Sequence, residues 1–308
     1  MIKRRVANLI IILSMLVIGL DASAQDVSSS GEIKPLGKIE LVHDGFQFTE
    51  GPAWDPRGTL YFTDVRTSTI HKIHDGKLAA FTTESQTANG LVVAKDGRLL
   101  ACQMEGQVVA YDLETGVVSL LAGEYQGKRF NAPNDLVIDK QGGIYFTDPH
   151  FRAPDPWPQS ILAVYYIAHD GTVSRVTDHI EAPNGVALSP DEQRLYVIPS
   201  GQAEMLVYDV DAPGKLSNKR ILCRLRQPDD VQHSGGDGMA VDMDGNLYIT
   251  SNLGVQIFSP TGEPRGLIEF PQQPANVTFG GPDRKTLFAT ARTGLYKVQM
   301  PIAGLPSN

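Results

Sequence analysis

From residue 50 onward, short apolar runs alternate with clusters of Asp, Pro, Gly and Asn, and the alternation repeats as a unit. The clearest copy is EGPAWDPRGTLYFTD, Glu50 to Asp64. It reads as a polar residue, an apolar strand, a turn of Asp, Pro and Gly, and a second apolar strand ending in small or hydroxyl residues. Five more copies follow: NGLVVAKDGRLLACQ from Asn89, NDLVIDKQGGIYFTD from Asn134, NGVALSPDEQRLYVIP from Asn184, DGMAVDMDGNLYITS from Asp237 and NVTFGGPDRKTLFATA from Asn276. Their starts are 39, 45, 50, 53 and 39 residues apart, the period of a propeller blade.

Within repeat one the pattern predicts four strands, at Gly51 to Trp54, Thr59 to Thr63, Thr69 to His74 and Leu78 to Thr82, with turns at 55–58 and 75–76. Repeats two and three read the same way, the third interrupted by an insertion from Pro149 to Ile161. Repeat six has only three strands of its own before the chain ends. The run KIELVH, Lys38 to His43, stands outside the first repeat and supplies the missing outer strand, which closes the ring and removes an open sheet edge. The expected fold is all-β: a six-bladed β-propeller of four-stranded antiparallel blades over residues 38–300, followed by a tail at 301–308.

The start of the chain has a different character. Lys3, Arg4 and Arg5 precede an apolar run from Val6 to Leu20, and Ala22-Ser23-Ala24 offers small residues for cleavage. This pattern predicts a secretory signal peptide at 1–24, because about fifteen apolar residues fall short of the roughly 20 that cross a bilayer. Export to the periplasm or medium is the expected localisation. Residues 25–37, with Ser28, Ser29 and Ser30 in a row, read as a flexible leader.

Composition sharpens the picture in two places. Without the signal, 24 Lys and Arg face 34 Asp and Glu, an acidic surface that repels nucleic acid and anionic lipid. Partners are therefore expected among small molecules, with no nucleic acid and no membrane after cleavage; nothing in the sequence fixes an oligomeric state. The two cysteines, Cys102 and Cys223, fall on predicted strands of different repeats and are expected to be buried thiols.

Candidate chemistry follows from the repeat. The first strand of each propeller blade lines the central channel, so the six opening residues Glu50, Asn89, Asn134, Asn184, Asp237 and Asn276 are expected to form a ring. Two carboxylates and several amide oxygens converging there suit a hard cation. No His or Cys cluster points to a softer metal. Singly, each Asn-Gly, Asn-Asp or Asp-Gly pair reads better as turn chemistry than as a metal ligand. Six equivalent positions, one of them a Glu, favour a site.

The phrases FTEGPAWD, RFNAPNDLVID, APNGVALSPD and GGDGMAVDMDGNLYIT resemble the SMP-30/gluconolactonase/LRE-like family over nearly the whole chain after the signal. That resemblance implies a six-bladed propeller with one catalytic divalent cation, Ca²⁺ first and Zn²⁺, Mg²⁺ or Mn²⁺ as other candidates, and hydrolysis of sugar lactones. It places the metal ligands at Glu50, Asn134, Asn184 and Asp237. It also gives Asp237 the role of general base and Asn134 a substrate contact, makes Asp135 a weaker ligand candidate, and matches Arg129 to a substrate-binding Arg.

Topology locates the mouth independently. Loops joining second to third strands lie on the face where first strands begin, so the insertion at 149–161 is expected to wall the site, with His150, Arg152 and Trp157 as substrate contacts. Gln103, Glu105, Asn252 and Arg292 fall at equivalent edges, and His233 with His150 is a second candidate for activating water. No GxSxG elbow or CxxC pair is present. The expected reaction is Lewis-acid activation of a lactone carbonyl and attack of water. The alternatives are an organophosphate or aryl-ester hydrolase on the same site, and a secreted binding module with a structural ion.

Overall fold

The computed structural model describes residues 31–231 and 235–308. The expected signal peptide, residues 25–30 of the leader and His233 lie outside the described residues. Among the described residues the strands form six four-stranded antiparallel sheets and one two-stranded hairpin. Blade one is Thr49–Asp55, Thr59–Asp64, Thr69–His74 and Lys77–Thr82, paired in chain order. Blades two to five repeat that order, beginning at Ala88–Val93, Leu136–Ile138, Pro183–Leu188 and Met239–Val241. Blade six holds Asn276–Gly280, Thr286–Ala291 and Gly294–Gln299, and Glu40–Asp44 adds its outermost strand, pairing antiparallel with Gly294–Gln299. The molecule is thus a six-bladed propeller closed by its N-terminal strand.

The sequence explains why the blades stack. Inner and middle strands such as Thr59–Asp64 and Ala163–Ile167 are buried along their whole length, so both faces of each sheet carry apolar side chains. Those faces meet in six apolar clusters, one in each gap between neighbouring blades. Between blades two and three, for example, Leu100, Cys102 and Val108 pack against Leu136, Phe146 and Tyr165. Such close-packed interfaces leave no freedom to slide one blade against the next. Cys223 lies between blades four and five, and both thiols are free.

Asp side chains set the turns between first and second strands. Asp55, Asp139 and Asp242 each accept a backbone N–H two residues on, from Arg57, Gln141 and Asp244. A related device fixes the segments that enter two blades. Asp64 accepts from Gln47 N and Phe48 N, and Asp148 accepts from Asn131 N and Ala132 N. Both aspartates end a second strand in the sequence Phe-Thr-Asp, so the repeat itself supplies the clamp.

Two segments expected to be peripheral are built into the fold. In the leader, Ile33 is buried against blades five and six and its N–H donates to Arg265 O at 2.7 Å. In the tail, Leu305 N donates to Val241 O and Asn308 Nδ2 to Ile138 O, which carries 305–308 across one end of the channel.

Candidate active site

Five of the expected ring residues come together. Glu50, Asn89, Asn134, Asn184 and Asp237 line one cavity of about 520 Å³ at the end of the channel where the first strands begin. The residue after each explains how the strands approach so closely. Gly90 N donates to Asn134 O at 2.7 Å and Gly185 N to Asp237 O at 2.8 Å, so each first strand rests on the next. A Cβ on Gly90 would lie 2.7 Å from Asn134 O, and one on Gly185 2.6 Å from Asp237 O. Asn89 and Asn184 sit inside strands, so their Asn-Gly pairs serve close packing rather than turns.

Blade six corrects the expected ring. The residue equivalent to the other five is Ala275, whose carbonyl accepts from Gly238 N at 2.8 Å and from Thr250 Oγ1 at 2.9 Å. Asn89 O accepts from Thr63 Oγ1 in the same manner. Asn276 is one place further on, level with Gly238 and Asp135, since the second-strand threonines Thr290, Thr250 and Thr147 donate to Asn276 O, Gly238 O and Asp135 O respectively. A layer of glycines therefore lies beneath the ring, and the side chains of Asp135 and Asn276 fill the space those glycines leave, Asn276 Nδ2 lying 3.5 Å from Asp135 Oδ2. Both side chains line a second cavity of about 330 Å³, which the tail residues 305–308 also border.

The buried carboxyls are electrostatically unbalanced. Burial pushes Glu50 well above the usual carboxylate range, and the charges of Asp237 and Asp135 push it further, while Gly51 N donates to its Oε2. Asp237 is pushed up to about 6 by burial, held back by a hydrogen bond from Asn184 and by the positive charge of Arg292. Asp135 is pushed up to about 7 by burial against hydrogen bonds from Leu136 N and Asn276. Among the described residues none of the three is in an ion pair. Asn89 Oδ1 is likewise buried without a hydrogen-bond partner among them, while its Nδ2 reaches only Met104 Sδ at 3.8 Å. Asn184 Nδ2 donates to Ser200 Oγ at 3.0 Å, and that hydroxyl donates to Gly236 O.

The mouth is assembled as topology requires. Every connection between second and third strands contributes lining, through Arg66, Met104, Arg152, Ser200, Asn252 and Arg292 in blades one to six. Arg152, Asn252 and Arg292 were expected on this face; Phe48, Arg66, Met104, Ser200 and Gln273 were not, although the same loop rule covers Arg66, Met104 and Ser200. The insertion is anchored by Gln159, whose Nε2 donates to Tyr125 O, Lys128 O and Arg129 O.

Other expected contacts stand outside this lining. His150 stacks on Trp157, ring centroids 5.0 Å apart, and neither borders the cavity. Arg129 lies on the hairpin of Glu124–Tyr125 and Lys128–Arg129, with Nε donating to Phe130 O at 3.1 Å. Gln103 is buried and bonded to Tyr111 OH, and Glu105 is exposed away from the cavity.

With this geometry in place, comparison with known proteins is informative. A gluconolactonase of Zymomonas mobilis is 32% identical over 292 residues, covering 86% of this chain and 82% of the relative. A solved gluconolactonase of Xanthomonas campestris superposes with a TM-score of 0.80 at 31% identity, covering 88% of this chain and 94% of that one. The calcium-binding protein regucalcin of Agrobacterium tumefaciens shares the fold, with a TM-score of 0.73 at 20% identity over 87% of this chain and 95% of its own. The profile of the SMP-30/gluconolactonase/LRE-like region matches residues 48–293. That match takes in blades one to five and the two inner strands of blade six, and the chain belongs to the SMP-30/gluconolactonase/LRE-like family.

Proposed function

We propose that the chain is a lactone hydrolase of the gluconolactonase type, working with one divalent cation held by Glu50, Asn134, Asn184 and Asp237. The observation that carries the reading is the convergence of two carboxylates and three amide groups in one cavity of about 520 Å³, with neither carboxylate in an ion pair among the described residues. The donors are oxygens, a hard set that matches Ca²⁺ first and Mg²⁺, Mn²⁺ or Zn²⁺ after it. The orphaned Oδ1 of Asn89 adds an oxygen that a cation or its water shell would satisfy. A cation bound there supplies positive charge that polarises the lactone carbonyl and stabilises the oxyanion.

The chain's own groups do the rest. Asp237, whose carboxylate lines the cavity, takes the proton of the attacking water. Asn184 and Arg292 hold it toward the ionised form that a base needs. Asn134 orients the substrate from the adjacent blade. Relatives named gluconolactonase point to sugar lactones as the substrate class.

The direct test is an assay of the purified protein on aldonolactones, aryl esters and organophosphates, stripped by chelator and then given each cation singly. Lactone opening that chelation abolishes and Ca²⁺ restores best is expected. Full lactone turnover in the stripped protein would remove the cation, and faster organophosphate or aryl-ester cleavage would replace the substrate class.

Stability offers a second check. The raised carboxyls of Asp237, Asp135 and Glu50 make the folded state hold protons that the unfolded chain gives up. In the cation-free protein, stability therefore falls as pH rises from about 4 through about 7. A bound cation favours the ionised forms and reverses that slope. Melting without cation is expected to be lower at pH 8 than at pH 5, and saturating Ca²⁺ should raise the midpoint at pH 8 by more than about 3 °C, and by less at pH 5. Equal calcium shifts at both pH values would count against cation binding by these carboxylates.

A further inference from the structure

Three guanidinium groups stand at the mouth of the cavity, on connections between second and third strands: Arg66 in blade one, Arg152 in blade three and Arg292 in blade six. All three are exposed, and among the described residues none is in an ion pair. Elsewhere Arg57, Arg98, Arg175, Arg220 and Arg224 each meet a carboxylate, and Arg129 and Arg194 donate to backbone carbonyls. Three arginines outside any ion pair thus share one mouth, on a protein whose formal charge is −8.

Two of the three are placed by contacts of the fold. The guanidinium carbons of Arg66 and Arg292 lie 5.9 and 5.6 Å from the centroid of the Phe48 ring, and Asp64 fixes the Phe48 backbone. Arg292 takes a left-handed backbone at φ 50, unusual for a long side chain. Its carbonyl is held there by Thr49 N, and its guanidinium is bonded to Gln273 Oε1. Backbone strain of this kind persists where surrounding contacts impose it.

We propose that the substrate of this site carries an oxyacid group, a carboxylate or phosphate, on the end remote from the lactone carbonyl, and that Arg66, Arg152 and Arg292 receive it. The proposal rests on the lactonase reading for the identity of the reacting end, and adds the chemistry of the other. The arginines put positive charge at the rim, away from the ring where the proposed dication balances Glu50 and Asp237, and so draw an anionic tail to the mouth. A tail held at the rim leaves the carbonyl facing the ring. Charge-assisted bonds from guanidinium to oxyacid are strong and geometrically selective.

The experiment compares glucono-1,5-lactone, glucaro-1,4-lactone and 6-phosphoglucono-1,5-lactone on the wild type and on Arg66→Gln, Arg152→Gln and Arg292→Gln. At least one anionic lactone is expected to exceed the neutral one in kcat/KM by roughly 10-fold or more, chiefly through KM, and the advantage should shrink as salt is raised. Each variant should lose a larger factor on the anionic lactone than on the neutral one. Whichever arm is favoured names the oxyacid. Calorimetric titration with glucose, glucuronate and glucose 6-phosphate keeps this test apart from the lactonase reading, because arginine-dependent binding of either anion supports the proposal even if no lactone is opened. Equal treatment of neutral and anionic ligands, with the variants losing the same factor on both, overturns it.

Discussion

Replacing Asp237 by Asn is expected to lower lactone turnover by roughly 10²- to 10⁴-fold at full cation occupancy, the range seen when a positioned acid–base group is removed. The substitution keeps the shape of the side chain and one oxygen that can face the ring. It removes the negative charge and the proton acceptor. Asp237 is suited to both roles because it is buried at the cavity beside Asn184 and Arg292, both of which favour its ionised form. The same change relieves its repulsion with Glu50, so the cation-free variant should melt no lower than the wild type. Loss of turnover with retained stability is the signature of a chemical role. Activity within a fewfold of wild type, with occupancy verified by metal analysis, would sink the assignment of Asp237 as base.

Much of this was legible in the sequence because propeller physics writes itself into the repeat. Each blade needs two-faced apolar strands and Asp-set turns, so the six copies and the closing strand at Glu40–Asp44 follow from pattern alone. The ring was legible for the same reason, but its register in blade six was not. Matching on residue type placed Asn276 beside Asp237, whereas strand pairing places Ala275 there. The threonine one place before the end of the second strand was the better marker, since Thr147, Thr250 and Thr290 each bond to the residue one place beyond the ring. A longer first strand in blade six, Asn276–Gly280 against the three-residue Leu136–Ile138 and Met239–Val241, hid that relation.

The rim was harder to read for a physical reason. Loop direction depends on backbone angles and clamps that no local pattern records, such as the left-handed Arg292 and the hold of Asp64 on Phe48. His150 and Trp157 occupy the insertion, as expected, yet stack on each other away from the cavity, while Arg152 between them lines it. Arg66 was missed although the loop rule applied equally to its connection, because nothing about a short turn marks it as part of a mouth until the blades are assembled.

The glycine layer beneath the ring yields the largest expected effect on folding. Gly51 follows Glu50 directly and has φ 41, and a Cβ there would lie 2.0 Å from Asn89 O, a backbone atom of the next blade. No rotamer can relieve that contact, because neither atom belongs to a flexible side chain. Thr63 Oγ1 also donates to Asn89 O, so any shift of the carbonyl away from residue 51 stretches a buried hydrogen bond. Left-handed strain on Ala and overpacking in a closed ring act together. Gly51→Ala is expected to destabilise the protein by about 3 kcal/mol or more, a fall in melting midpoint near 10 °C, and to displace Glu50 enough to weaken cation binding. Gly37→Ala, with open space around its Cβ and no positive φ, should stay within about 0.5 kcal/mol of the wild type. Because the crowding arises from six strands meeting at one axis, a smaller penalty should appear at Gly185, where φ is not positive and a Cβ would lie 2.6 Å from the carbonyl oxygen of Asp237 itself. Equal melting of Gly51→Ala and Gly37→Ala in thermal denaturation would mean that the first strands are not in contact around the axis, and the oxygen ring would lose the scaffold that gathers it.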